Sequence, residues 1–135
     1  VYLVGTSRGA LSAGNAAVRL EGSTRPDALV ITSGMLMARV GHQPSVQRNV
    51  GRLERITIPV LLVHHEYDAC TTTPAVDAQR FAKLLTAAPV DIRILRGGFT
   101  RGDPCEAQSY HGFLGIDDEV VSDISGWLGA LPRKN

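Results

Sequence analysis

Ser7 lies in Gly5-Thr6-Ser7-Arg8-Gly9, which fits G-x-S-x-G. A serine hydroxyl is a poor nucleophile until a base takes its proton, and the base needs an orienting acid. The bare pattern is weak, because Gly and Ser are common. Its setting gives it weight: an apolar, strand-like run precedes it and a helix of small residues follows, the strand–turn–helix context of a nucleophile elbow. Such a turn strains the backbone at Ser7. Gly5 and Gly9 are expected to give room where a Cβ would clash. Ser7 would sit at a helix N-terminus, where the dipole favours negative charge. The backbone N–H of Arg8 is then an oxyanion-hole donor. The plain alternative is a glycine-rich turn with no chemistry.

The elbow expects chain order Ser, then Asp or Glu, then His. Asp68 and His111 satisfy it, at separations of 61 and 43 residues. Asp68 follows a strongly apolar strand by a few residues. His111 follows the next strand after a longer loop and precedes the last helix. Parallel strands end on one side, so both positions share a sheet edge with Ser7. Competing residues are weaker. His64 and His65 read as a packed strand histidine and a rim residue. His42 falls in an exposed connector. Glu66 is a second candidate acid, Asp77 is expected to face out of a helix, and Asp103 is a weak candidate. His64-His65-Glu66 is a poor metal-ligand set, because adjacent strand residues point to opposite faces. No metal or organic cofactor is expected.

Cys70 stands two residues after the proposed acid and Cys105 six before the proposed base. A Cys70–Cys105 disulfide would pin the acid loop to the histidine loop, where the alternative is two free thiols. It would add roughly 4 kcal/mol of stability in the chain-entropy view and imply an oxidising compartment.

The elements that must position these residues alternate. Strands are expected at 1–5, 28–32, 59–65 and 90–95. Helices are expected at 8–20, 74–87 and 117–131, with Thr73 as N-cap of the second. Val76, Phe81, Leu84 and Leu85 would form its buried stripe. Val120, Val121, Ile124, Trp127, Leu128 and Leu131 would face inward from the last helix. Residues 35–58 read as loop with one short helix and an arginine patch at Arg48, Arg52 and Arg55. That patch is a solvated face or an attraction for acidic substrates. Met35 and Met37 are core residues or the lining of an acyl pocket. The alternation implies parallel strands with right-handed crossovers in one α/β domain spanning 1–135.

The 135 residues carry a formal net charge of +1, with 44% hydrophobic and 20% charged residues. Bulk disorder is therefore not expected. No basic excess suggests nucleic acid as a partner. No apolar run approaches the ~18 residues that span a bilayer, so no membrane partner is expected. The chain opens on Val1, directly in a strand-like run, so a processed or fragmentary chain is expected.

Together these residues resemble the α/β-hydrolase superfamily. Gly5–Gly9 is similar to its elbow, Val60 to Asp68 to its acid strand and turn, and Ser109-Tyr110-His111-Gly112 to its histidine loop. The segments around Cys70 and Cys105 resemble bacterial α/β hydrolases that are often exported, and more distantly dienelactone-hydrolase-like and prolyl-oligopeptidase-like proteins. The resemblance implies a Ser7–His111–Asp68 triad cleaving esters, or less often amides, in a periplasmic or secreted setting, otherwise a cytoplasmic one. With no obvious lid domain in the sequence, small or short-acyl esters are expected. An amidase or peptidase of the same fold, or an inactive remnant with a binding role, are the alternatives. It also implies a truncated fold of about four parallel strands with flanking helices, starting at the nucleophile strand. The strand from Val1 to Gly5, normally central, would then be a sheet edge that invites pairing with another copy as a homo-oligomer.

Overall fold

Runs of Val, Ile and Leu that are apolar at every position, rather than at alternate ones, need cover on both faces of a sheet. The computed structural model, which describes residues 1–132, provides that cover. β1 (Tyr2–Thr6), β2 (Ala28–Thr32), β3 (Val60–His65) and β4 (Val90–Leu95) form one parallel sheet in the spatial order β1-β2-β3-β4. Every residue of β2 and β3 is buried, which accounts for their unbroken apolar sequence. Tyr2 pairs with Ala28, Leu29 with Val60, and Val60 with Val90, so the strand ends stay level across the sheet.

Helices cover the two faces. α1 (Gly9–Arg19) packs Ala10, Ala13 and Ala17 on Leu29, Ile31 and Leu62. Its small side chains let the helix lie close to the strands. α2 (Val46–Asn49) and α3 (Val76–Ala82) complete this layer through Val46 and Phe81. On the opposite face α4 (Asp117–Ala130) packs Val120, with Ile124, Trp127 and Leu128 half-buried, against Val30, Leu61 and Val63. Asp117, Asp118 and Glu119 lie in its first turn, where the helix dipole favours them. Trp127 donates to Asp91 and Arg93 pairs with Asp123, tying α4 to β4.

Several expectations are corrected. α3 is shorter than residues 74–87 and begins at Val76, after Ala75 as N-cap. Thr73 does not cap it. The turn of the short helix buries Asp77, Ala78 and Phe81 and leaves Val76 51% exposed, so Val76 is outside the stripe. Asp77 does not face solvent. It is buried and ion-paired to Arg39 and Arg80, which makes a charge tolerable there. Val121 on α4 is exposed rather than facing inward. In the apolar run that opens the chain, Val1, Tyr2 and Val4 are exposed, and among the described residues β1 is paired on one side. The 35–58 connector holds α2 and a 3-10 turn at Leu53–Arg55. Its arginines are largely engaged. Arg48 donates to the carbonyls of Arg39, Gly41 and Gln43, and Arg55 pairs with Glu21. Met35 and Leu36 are buried.

Candidate active site

The turn after β1 is shaped by its sequence. Ser7 adopts φ 52°, a left-handed conformation that non-glycine residues rarely take. Its N–H donates to the Thr32 carbonyl at 3.0 Å, and its own carbonyl accepts from Ala10 and Met35. These bonds hold the strained residue between β2 and the start of α1. No backbone acceptor takes the Arg8 N–H among the described residues. Gly5 is required: a Cβ there would lie 2.7 Å from the Gly9 carbonyl oxygen and 2.8 Å from the Ala13 Cβ. Gly9 is different, because a Cβ on it meets open space. The expected clash therefore exists at one glycine of the pair.

Asp68 and His111 come together as their strand ends dictate. His111 Nδ1 lies 2.9 Å from Asp68 Oδ2, with both residues buried. The Cys70 N–H donates to Asp68 Oδ1 at 2.9 Å, so the acid's other oxygen is held by its own loop. Cys70 and Cys105 are bonded, and the acid loop is thereby fastened to the loop that leads to His111. His111 lies in a 3-10 turn, Tyr110–Gly112, capped by Ser109, whose hydroxyl accepts from the His111 N–H.

No hydrogen bond joins Ser7 Oγ to His111 among the described residues. The two are linked through the end of β2. Thr32 accepts from Ser7, and the next residue, Ser33, donates its hydroxyl to the His111 carbonyl at 2.7 Å. Ser33 is fully buried, has φ 44°, and donates its N–H to Val63. It is a second strained serine in the same row of strand ends. Its visible signal was a polar Thr-Ser-Gly closing a wholly apolar strand.

The remaining candidates have other roles. His64 is buried toward α1 and α3 with neither ring nitrogen hydrogen-bonded to protein. Burial pushes its pKa down to about 4, more than the nearby Asp68 carboxylate pushes it up. His65 is buried too, not a rim residue, on the opposite face. Its Nδ1 accepts from the Tyr67 N–H, its Nε2 bonds the Gly97 carbonyl, and its ring stacks on Tyr110 at 4.4 Å. Both nitrogens are occupied, which leaves no acceptor for a substrate proton. Glu66 pairs with Arg96. Asp103 caps the Cys105 N–H. His42 is exposed.

No protein-family model and no curated protein matches the sequence. Solved structures do. An α/β-hydrolase enzyme, MGS-M1, from a Medee basin deep-sea metagenome library superposes over 94% of this chain and 52% of its own, with TM-score 0.57 and 19% identity. The chain has the α/β-hydrolase fold. An acetyl ester-xyloside bifunctional hydrolase from Caldicellulosiruptor lactoaceticus matches 96% of the chain and 57% of itself, at TM-score 0.55 and 16% identity. A thermophilic esterase from Thermogutta terrifontis matches over 99% and 58%, at TM-score 0.51 and 22% identity. The chain thus spans a little over half the length of each of these α/β hydrolases.

Proposed function

We propose that the chain is a serine esterase of the α/β-hydrolase kind, acting through an acyl-enzyme on Ser7. One observation carries this reading: a serine at φ 52° on a strand-to-helix turn shares a sheet end with a buried His111–Asp68 pair 2.9 Å apart. His111 takes the Ser7 proton through Nε2 as Oγ attacks the ester carbonyl, then delivers it to the leaving alcohol. Asp68 holds Nδ1–H and stabilises the imidazolium. The Arg8 N–H donates to the tetrahedral oxyanion. Water then repeats the sequence on the acyl-enzyme. The Ser7–His111 bond forms in this reading when substrate orders the serine, since catalytic hydrogen bonds are often long in free enzymes.

The substrate class proposed is small or short-acyl esters, as expected from the sequence, and an esterase among the similar structures supports the ester class. The disulfide and the resemblance to exported hydrolases favour an oxidising compartment. Among the described residues no helix is long and apolar enough to cross a membrane. One feature favours a second reading, an inactive remnant: no hydrogen bond joins Ser7 Oγ to His111 among the described residues, whereas His111 is bonded to Asp68.

Hydrolysis of p-nitrophenyl acetate and butyrate by the purified chain, beside Ser7→Ala, separates the readings. The esterase reading expects turnover abolished by the substitution and covalent labelling of Ser7 by a fluorophosphonate. Turnover absent, or equal in both proteins, gives the remnant. Preference for p-nitroanilides over esters would move the assignment to an amidase.

A further inference from the structure

Resting on the esterase reading, we infer that Thr73 is a positioning residue that fixes the proton on His111 Nδ1. Its hydroxyl oxygen lies 2.9 Å from Asp68 Oδ2 and 3.0 Å from His111 Nδ1, and Asp68 Oδ2 lies 2.9 Å from His111 Nδ1. Three polar atoms therefore close a triangle in the interior, with Thr73 wholly buried.

The triangle has two protons to distribute, the Thr73 O–H and an imidazole N–H. An ionised carboxylate only accepts. A bond to its charge is stronger than a neutral O–H···N bond, so the hydroxyl donates to Oδ2. The threonine oxygen's lone pair then faces Nδ1, and only a protonated Nδ1 is compatible with two acceptors. Nε2 is left without a proton in the neutral ring, which is the state that can receive one from Ser7. A hydroxyl turned to Nδ1 would instead drive the proton to Nε2 and leave the base blocked. Two features hold Thr73 in place: its N–H donates to the Cys70 carbonyl at 3.1 Å, and its β-branched side chain restricts χ1. Asp68 receives the loop's Cys70 N–H on one oxygen and the loop's Thr73 hydroxyl on the other, so the loop fixes the carboxylate in two directions.

The test uses the full chain and two readouts. In 15N-labelled protein, the His111 Nδ1–H resonance, assigned by its loss in His111→Gln, should appear in wild type and Thr73→Ser. It should shift or broaden away in Thr73→Val. In p-nitrophenyl butyrate hydrolysis, Thr73→Val should lower kcat about tenfold to a hundredfold at unchanged KM. Thr73→Ser should recover most of it. Thr73→Val added to Asp68→Asn should cost nothing further, because the hydroxyl acts through the carboxylate. An unmoved resonance in Thr73→Val overturns the inference. So does full kcat in that variant, or a Thr73→Ser as impaired as Thr73→Val. Thr73→Ala removes the same hydroxyl and takes the place of Thr73→Val if that variant does not fold. A wild-type chain without turnover refutes the esterase reading alone, and the resonance then decides the role of Thr73.

Discussion

His64 and His65 are adjacent on β3 and have opposite fates, because a strand sends successive side chains to opposite faces. His65 spends both nitrogens on backbone groups. His64 spends neither and is kept neutral by burial, with Asp68, Asp77 and His111 as the charges within reach. The pH consequence has a definite sign. Above about pH 6.5 the ring is neutral in folded and unfolded chains alike. Between 6.5 and about 4 only the unfolded chain binds the proton, so stability falls as pH falls, by about 3 kcal/mol in all. Urea unfolding from pH 7 to pH 4 should therefore be flatter for His64→Leu than for wild type. Parallel profiles would refute it. At this scale chain order and context pointed to Ser7, Asp68 and His111, and the structure brings two of them, Asp68 and His111, to 2.9 Å. The sequence was silent on Thr73 and Ser33. A hydroxyl can cap, turn or bridge, and only the tertiary neighbour decides which. The first threonine role expected, a helix cap, lost to a carboxylate acceptor with a full charge. Asp77 shows the same limit: a helix position reads as exposed until a distant arginine comes to meet it.

At the scale of elements, β2 and β4 were readable to the residue, since unbroken or alternating β-branched runs bounded by turn residues leave little choice. α3 was not. Its seven residues carry less periodicity than the fourteen read for it, and the acid loop that precedes it takes up Thr73, Pro74 and Ala75. That loop and the one before His111 have little regular structure of their own, and the Cys70–Cys105 bond is the covalent link between them. Reduction should lower stability by roughly 4 kcal/mol. Because Cys70 also donates to Asp68, it should reduce ester turnover as well. Urea midpoints and butyrate hydrolysis with and without a thiol reductant check both. Unchanged values under full reduction, verified by thiol titration, would count against the loops depending on the bond.

At the scale of the whole molecule, β1 is an outer strand of the sheet among the described residues, and Ser7 follows its end. An apolar edge with unpaired N–H and C=O groups is a template for another strand. Self-association through β1 is accordingly proposed, with a sedimentation profile that shifts toward dimer as concentration rises. A strictly monomeric profile at high micromolar concentration would sink it. The edge itself was anticipated from the resemblance. Its apolar run alone could not say how many neighbours the strand would have.

The strands stand in space in the order in which they occur along the chain. Each crossover therefore adds its strand to the flank left open by the one before, and among the described strands none is inserted between two already paired. For a chain emerging from a ribosome, the serine turn can be built first, the carboxylate loop second and the imidazole last. A nascent chain would carry Ser7 with no imidazole beside Asp68 until residue 111 is out. On the esterase reading proposed above, the site would be complete only once His111 has been made.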